Sequence, residues 1–326
     1  MPLPPPPPPS GDRGAAGLPQ PPAGAAPSTG PSGSVGATCY RHADRPTGRR
    51  CTRCGKPACE QCLVQADVGS HCLDCAKASR PDIKTRAKFW SAGQPNLVTM
   101  SLIAVNVAVF LGVLVWTQDG GALAGQATDA HLDLGLSKDV LAFPIRWPSG
   151  TGVPYFTEPD GWYRLVTSGF MHFGLIHIGL NMYFLYILGP MLERPLGRVG
   201  LLALYAASLL GGSLGVLVLD SGGITAGASG AVFGLMAGAS VGLWRRGVNP
   251  FSTAIGSTLL LNLFLTFFIP GISIGGHLGG AVAGAICGAV MLAPGHKPVP
   301  RWAVYATPVA VGIASVVLSV MIVNAA

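Results

Sequence analysis

Seven apolar segments after residue 96 constrain the fold of this chain more than any other feature. Each is close to the ~20 residues that a helix needs to cross the hydrocarbon core of a bilayer. They are residues 97–117, 171–189, 199–219, 227–244, 253–269, 276–293 and 302–323. Only 11% of the 326 residues are charged, whereas soluble domains carry about 25%. The sequence therefore excludes an ordinary water-soluble enzyme and predicts an all-α polytopic membrane protein.

The basic residues of the short loops predict how the spans are oriented. They follow the second, fourth and sixth spans, at Arg194, Arg198, Arg245, Arg246, Lys297 and Arg301. Loops 220–226 and 270–275 contain no Lys or Arg. Because cytoplasmic loops carry the excess of basic residues, we expect a multi-pass protein of the cell membrane with a cytoplasmic N-terminus. The net charge of +7 then marks cytoplasmic edges, and no nucleic-acid partner is expected.

Polar residues are concentrated where three of the spans begin on the outer side. They are His172, His177 and Asn181 in the second span, Gly227-Ala-Ser229-Gly230 in the fourth and Gly276-His277 in the sixth. All three spans run inward from outside, so these residues lie at a similar shallow depth. An ionised side chain inside the hydrocarbon costs at least ~2.5 kcal/mol, so polar clusters there usually mark a functional site.

Two glycine stripes predict which spans touch. The fourth and sixth spans each carry glycine at every fourth position, at Gly230, Gly234, Gly238 and Gly242, and at Gly276, Gly280, Gly284 and Gly288. Such small-residue stripes allow the backbones of two helices to approach closely. We therefore expect spans four to six, which are short, to be interior helices. Packing span four on span six brings Ser229 and His277 within hydrogen-bond reach.

This pair of side chains indicates nucleophilic catalysis. A serine hydroxyl becomes a strong nucleophile when a base removes its proton, and histidine is a suitable base near neutral pH. No Asp or Glu in the spans is placed to orient His277, so we expect a Ser–His dyad that needs no cofactor. The Ser229 N–H at the start of its helix, the Asn181 amide and the imidazole of His172 or His177 are candidate oxyanion donors, with Gly227 in support.

Four motifs occur together in a fixed order along the chain: Trp162-Tyr163-Arg164, His172-x4-His177-x3-Asn181, Gly227-Ala-Ser229-Gly230 and Gly276-His277-x2-Gly280. In this combination the chain resembles the rhomboid family of intramembrane serine proteases over about residues 97–293. The resemblance implies a six-helix rhomboid core, to which the seventh span is a C-terminal addition.

The resemblance also implies roles for individual residues. Ser229 resembles the family's nucleophile and His277 its base. His172 and Asn181 resemble the oxyanion-stabilising residues, with His177 beside them in the same motif. Trp162, Arg164 and Glu193 match positions that are structural in the family.

Substrate and access are implied in the same way. The resemblance implies cleavage of single-span membrane proteins near their extracytoplasmic ends. Substrate would enter between spans two and five, around Phe267 and Phe268, under a cap loop at 269–275. Phe233 stands where some members have a tyrosine stacked on the catalytic histidine, and we expect the stack to persist.

Paired cysteines upstream of the spans predict a metal-binding module. The pairs are Cys39-x2-His42, Cys51-x2-Cys54, Cys59-x2-Cys62 and Cys72-x2-Cys75. Eight ligands fill two tetrahedral zinc sites, and such closed sites are structural. The spacing resembles a B-box-type zinc finger with cross-braced sites, which pairs the first motif with the third and the second with the fourth. Sequential pairing is the alternative.

These features predict the following organisation: a disordered Pro/Gly-rich tail at 1–36, a two-zinc B-box-like module at 37–78, a basic juxtamembrane linker at 79–96, the rhomboid core at 97–293 and the seventh transmembrane helix at 294–326. The module is a candidate site for a cytoplasmic protein partner. An inactive rhomboid-like protein that binds membrane clients is the main alternative function. A transporter would need inverted repeats, which the sequence lacks.

Overall fold

The computed structural model describes residues 36–142, 145–147, 155–157, 161–220 and 222–325. The tail at 1–36 was predicted to be disordered, and residues 1–35 of it lie outside the described residues. The chain divides into two compact units between Thr85 and Arg86.

From residue 36 onward, the described part of the first unit contains little regular structure. A 3₁₀ turn at Glu60–Cys62 leads into strands β1 (Leu63–Gln65) and β2 (Ser70–Cys72), and helix α1 (Leu73–Ala78) follows. The strands are antiparallel and pair Leu63 with Cys72. Its buried apolar cluster is small and consists of Cys39, Ala58 and Cys62.

The second unit is helical throughout its core. Its helices are α2 (Ile83–Ala92, which starts in the first unit), α3 (Leu97–Thr117), α4 (Gly121–Ala124), α5 (Asp129–Leu134), α6 (Lys138–Ala142), α7 (Arg164–Thr167), α8 (Gly174–Leu219), α9 (Ser229–Arg245), α10 (Ala254–Phe268), α11 (Ile274–Met291) and α12 (Arg301–Asn324). Strands β3 (Ile145–Trp147) and β4 (Tyr155–Thr157) pair antiparallel, and 3₁₀ turns cover Ser168–Phe170 and Pro250–Ser252.

Helix α8 is two membrane spans rather than one. Its backbone leaves the helical region at Gly197, where φ is 70° and ψ is 173°. Residues from both of its ends lie at the same site, because His177 faces Gly227 and Gly212 lies against Gly230. The chain therefore doubles back at Gly197, where a positive φ favours glycine.

These helices confirm the predicted fold class. Helices α3, α8, α11 and α12 are long and apolar enough to cross a membrane, and α10 is a shorter apolar helix of 15 residues. With α8 counted as two limbs, α3 and α8–α12 give the six-helix core and the additional C-terminal helix.

Glycines bring α9, α11 and the second limb of α8 into backbone contact. A Cβ on Gly284 would lie 2.1 Å from the Gly234 carbonyl oxygen, and one on Gly280 would lie 2.0 Å from that of Gly230. On another face of α11, a Cβ on Gly279 would lie 2.2 Å from the Gly211 carbonyl oxygen. Since real Cβ atoms do not come so close to backbone, these positions require glycine, and α11 is the central helix.

Helix α10 differs from the prediction that spans four to six are all interior. Phe264, Phe267 and Phe268 are 57%, 56% and 66% exposed, so α10 lies at the edge of the bundle. The reason is that its sequence has no glycine stripe and its large side chains cannot pack backbone to backbone. Its buried residues are Gly256, Leu259 and Thr266.

Buried polar anchors fix the ends of the core helices. The Glu193 carboxylate, 3% exposed, accepts hydrogen bonds from the backbone N–H groups of Val98 and Thr99 and from the Thr99 hydroxyl, at 2.7–3.0 Å. Because the first N–H groups of a helix have no partner within it, this carboxylate caps the N-terminus of α3. It joins the first span to the second.

The long loop before α8 is held by the residues of the Trp-Tyr-Arg motif. Arg164 is 2% exposed and donates from Nη1 to the carbonyl oxygens of Leu132 and Gly135, at 2.5 and 3.0 Å. Burial lowers the pKa of this guanidinium. The side chain of Trp162 packs against a cluster that includes Leu136 and Leu165. This loop positions the segment that carries His172.

Candidate active site and metal sites

The side chains of Ser229 and His277 meet at the N-terminal ends of two neighbouring helices. Ser229 is the first residue of α9, and His277 lies in the first turn of α11. The distance from His277 Nε2 to Ser229 Oγ is 2.9 Å. His277 is 8% exposed and Ser229 is half-buried. The hydroxyl can therefore donate to a nitrogen that is shielded from most of the surrounding water.

Two neighbours hold the imidazole of His277. Its ring stacks on Phe233, with 4.0 Å between ring centroids and 17° between the planes. Its other nitrogen, Nδ1, lies 2.7 Å from the hydroxyl of Thr266 on α10. Only a carboxylate was expected to orient the histidine, so this threonine was not predicted from the sequence. Asn262 and Thr266, one helical turn apart in a largely apolar span, were the signal that could have found it.

The two other histidines of the site have different surroundings. His172 is 1% exposed, lies with Nδ1 3.3 Å from the Phe170 carbonyl oxygen, and accepts at Nε2 from the Ala228 N–H at 3.4 Å. Both of its nitrogens are thus engaged by backbone. His172 therefore holds the chain just before Ser229 and has no proton free for an oxyanion.

Within the part of the chain that the structure describes, His177 has a donor that no protein group accepts from. Its Nδ1 accepts from the backbone N–H of Phe173 at 3.3 Å, so the proton of the neutral ring is on Nε2. That edge faces Gly227, where a Cβ would lie 2.8 Å from Nε2. Gly227 has a φ of 138°, which side-chain-bearing residues rarely adopt. Gly227 therefore allows the imidazole to approach the chain two residues before Ser229.

Asn181 completes the polar wall next to these groups. It lies one helical turn after His177 on α8, is 5% exposed, and donates from Nδ2 to the His177 carbonyl oxygen at 2.9 Å. Ser229, His277, His177 and Asn181 all line one cavity of about 630 Å³, whereas His172 is not among its lining residues. The cavity is closed on one side by residues Pro270–Ser273, part of the predicted cap loop.

An aspartate outside the predicted site fixes the start of α11. The Asp220 carboxylate at the end of α8 accepts from the backbone N–H of Gly275 at 2.8 Å and from the hydroxyl of Ser273. Ser273 in turn accepts from the Gly276 N–H at 2.8 Å. These bonds cap the helix that carries His277. The sequence signal was weak, because an Asp in a short loop is ordinary.

The eight metal-ligand candidates form two separate clusters. One contains Cys39, His42, Cys59 and Cys62, and the other contains Cys51, Cys54, Cys72 and Cys75. The ligand atoms of each cluster lie within 4.8 Å of one another. This is the cross-braced arrangement, and the sequential alternative is not what the structure contains.

The distances within the clusters fit a tetrahedral ion. With Zn–S bonds of about 2.3 Å, two ligand sulfurs at a tetrahedral site lie about 3.8 Å apart. The Cys54 and Cys72 sulfurs are 3.7 Å apart, and His42 Nδ1 lies 3.4 Å from the sulfurs of both Cys59 and Cys62. All eight cysteines of the chain are free of disulfides. Each cluster can therefore hold one metal ion.

Comparison with known proteins finds a family match over the segment that contains these residues. Residues 159–294 match the family model of the Rhomboid domain. RHOMBOID-like protein 4 of Arabidopsis thaliana is 30% identical over 152 residues, which are 44% of this chain and 38% of that protein. Rhomboid-like protein 11, chloroplastic, of the same plant is 43% identical over 77 residues, or 23% of this chain and 28% of that protein.

A third relative carries an activity in its name. Rhomboid-type serine protease 2 of Emericella nidulans is 37% identical over 81 residues, which are 24% of this chain and 16% of that protein. The chain thus matches less than two-fifths of the length of each of these relatives. The family-model match at residues 159–294 covers the part of the chain that contains the polar site.

Proposed function

We propose that this multi-pass membrane protein is an intramembrane serine endopeptidase that acts through Ser229 and His277. Both residues lie within residues 159–294, which match the Rhomboid domain. The observation that carries the proposal is the 2.9 Å contact between Ser229 Oγ and His277 Nε2. A relative named a serine protease adds support.

The reaction begins with proton transfer from Ser229 to His277. As Oγ attacks the scissile carbonyl carbon, Nε2 takes the hydroxyl proton and the carbonyl oxygen becomes an oxyanion. The tetrahedral intermediate collapses, the C–N bond breaks, and the imidazolium returns the proton to the leaving amine. Water then attacks the acyl-enzyme with His277 again acting as base, which releases the carboxylic acid and restores the serine hydroxyl.

His177 and Asn181 are the side chains that we assign to the oxyanion. The proton of His177 is on Nε2 because Nδ1 accepts from the Phe173 N–H, and among the described residues no acceptor is bonded to Nε2–H. Asn181 has a second amide hydrogen beyond the one donated to the His177 carbonyl oxygen. We assign His172, expected from the resemblance to be a donor, to the support of the loop instead. Removing one oxyanion donor typically slows the chemical step about 10²–10³-fold.

The cavity suits a peptide bond that arrives from the bilayer. Its wall includes Ile176, Leu180 and Phe184 from the first limb of α8, and Asn262 from α10. The apolar residues suit the side chains of a transmembrane segment, and the polar ones surround the reacting carbonyl. We therefore propose single-span membrane proteins as substrates, cut near their extracytoplasmic ends, with entry between this limb and α10.

We propose zinc as the metal and a structural role for it. Each cluster has only cysteine and histidine ligands, which are the ligands of structural zinc. A bound zinc ion would supply cross-links between distant parts of the module and take no part in the cleavage. We also propose the cell membrane as the location and the cytoplasm as the side of the module, since thiolate ligands persist in a reducing compartment.

Cleavage of a single-span substrate in proteoliposomes tests the proposed function. We expect Ser229→Ala to abolish cleavage and His277→Ala to slow it by about 10²-fold or more. Ser240→Ala is the matched control, since Ser240 is buried on the same helix about 16 Å further along its axis. This variant is expected to cleave like the unmodified protein.

Labelling with a fluorophosphonate probe separates loss of chemistry from loss of substrate binding. The probe should label the unmodified protein and Ser240→Ala but not Ser229→Ala. Unchanged cleavage in either dyad variant would overturn the proposal. A protein that binds the substrate, is labelled by no probe and cleaves nothing would instead be the inactive client-binding member of the family.

A further inference from the structure

We propose that Thr266 is a positioning residue of the site, whose hydroxyl selects the tautomer of His277 that is able to act as a base. The inference rests on the proposed function and adds a third group to it. Thr266 itself does not reach Ser229 or a substrate. It acts through the imidazole, from a helix different from those that carry the dyad.

The direction of the hydrogen bonds fixes the location of each proton. Thr266 Oγ1 lies 2.7 Å from the carbonyl oxygen of Asn262 and 2.7 Å from His277 Nδ1. A carbonyl oxygen only accepts, so the single hydroxyl proton is donated to Asn262. The Thr266 oxygen then presents a lone pair to Nδ1, which must carry the imidazole proton.

The consequence appears at the other nitrogen of the ring. A neutral imidazole with its proton on Nδ1 has an unprotonated Nε2, and Nε2 is the atom 2.9 Å from Ser229 Oγ. The opposite tautomer would direct an N–H at the serine and could not take its proton. It would also require the Thr266 hydroxyl to turn away from Asn262 and lose that bond.

Burial makes this selection effective. Thr266 is 2% exposed and His277 is 8% exposed, so water has little access to replace the hydroxyl. Nδ1–H must remain bonded when His277 becomes an imidazolium during the reaction, because an unpaired donor in a poorly solvated site is costly. In a Ser-His-Asp triad a carboxylate has this role. A neutral hydroxyl performs the tautomer selection without placing a second charge inside the membrane.

The arrangement also makes the dyad depend on α10. Ser229 and His277 belong to α9 and α11, which are locked together by glycine contacts, whereas Thr266 and Asn262 belong to α10 at the edge of the bundle. The sequence pattern that identifies the dyad contains no part of α10. The tautomer of His277 is therefore set by α10, a helix that none of the dyad motifs includes.

Three variants test the hydroxyl. Thr266→Val keeps the shape and removes the oxygen, and Thr266→Ser keeps the oxygen and removes the methyl group. Thr258→Val is the matched control, because Thr258 is on the same helix about 12 Å along its axis. We expect Thr266→Val to lower kcat about tenfold with KM nearly unchanged, an effect of the size of one hydrogen bond. Thr266→Ser should stay within about twofold of the unmodified protein, and Thr258→Val should match it.

The tautomer itself is measured by nitrogen NMR of protein labelled with ¹⁵N-histidine, with the His277 signals identified by their absence in His277→Gln. We expect a protonated Nδ1 and an unprotonated Nε2 in the unmodified protein, in Thr266→Ser and in Thr258→Val. Thr266→Val should show a mixture of tautomers. If that variant does not fold, Thr266→Ala takes its place with the same expectation.

The outcomes separate this inference from the proposed function. Normal kcat and an unchanged tautomer in Thr266→Val, with Ser229→Ala inactive, would overturn the role of Thr266 and leave the protease intact. Equal losses in Thr266→Val and Thr266→Ser would show that packing matters rather than the hydroxyl, and would also overturn it. Cleavage by Ser229→Ala would remove the proposed function, whereas the NMR result would still decide whether Thr266 selects the tautomer.

Discussion

The metal module, taken as residues 37–78, and the membrane core are stabilised by opposite means. The buried apolar cluster of the module is Ala58 with Cys39 and Cys62, which are themselves candidate ligands, whereas eight candidate ligand side chains gather in two clusters. The core has an extensive apolar cluster, and its central helices touch through backbone atoms at glycines. Candidate ligand side chains organise the module, whereas glycines, which have no side chain, allow the helices of the core to touch.

The difference follows from size and solvent. A module of about 40 residues buries too little apolar surface to fold alone, so we expect a bound metal to supply the missing stability. Helices in a bilayer gain little from burying apolar side chains among lipid tails, so close van der Waals contact becomes the attraction between them. Both statements can be tested by experiment.

Removing metal should unfold the module and leave the core folded. We expect a strong chelator, or Cys62→Ser, to abolish the slow hydrogen exchange of amides in residues 37–78, because the apparent binding energy of structural zinc is about 10–16 kcal/mol and is folding energy. Exchange in α9 and α11 should not change. Hydrogen exchange followed by mass spectrometry reports both units in one sample.

Cys287→Ala is the control for that experiment. Cys287 is fully buried in α11 and belongs to neither ligand cluster, so this variant should keep two metal ions per chain by elemental analysis. A module that keeps its protected amides after the metal has been removed would contradict the comparison, since its few buried residues would then suffice.

A side chain at the α9–α11 contact should damage the core and spare the module. Gly284→Val directs its Cβ to within 2.1 Å of the Gly234 carbonyl oxygen. Because backbone cannot move aside as a side-chain tip can, we expect a loss of about 3 kcal/mol or more in unfolding free energy, at the upper end of overpacking effects. Thermal unfolding in detergent measures it.

Gly112→Ala is the matched control in the same unit. A Cβ at Gly112 meets nothing within 4 Å, so we expect this change to alter stability by less than about 1 kcal/mol. Similar losses in both variants would mean that the glycines serve helix flexibility rather than contact between backbones.

The Glu193 cap should have the smallest of the three effects. Glu193→Ala leaves the buried N–H groups of Val98 and Thr99 without an acceptor, and we expect a loss of about 1–3 kcal/mol in unfolding free energy. Glu193→Gln keeps one acceptor oxygen and should recover part of this loss. If both variants unfold at the temperature of the unmodified protein, polar capping contributes nothing and backbone contact alone stabilises the core.

Much of this architecture could be predicted from the sequence. The fold class and the rhomboid resemblance are confirmed, because apolar length and spaced motifs are local properties of the chain. The predicted interior position of α10 was wrong, since three exposed phenylalanines place it at the edge. The domain boundaries and the catalytic roles remain predictions for the experiments above.

Residue type and spacing are enough to give the apolar spans, the candidate ligand residues and the glycine stripes. The packed helices were needed to show that, among the described residues, His177 rather than His172 presents an unbonded N–H to the cavity, and that Thr266 meets His277. The physical reason is rotational. Each residue turns a helix by about 100°, so whether two side chains touch depends on the rotation and depth of both helices. Packing between helices sets these two quantities, and the spacing of residues along one helix does not reveal them.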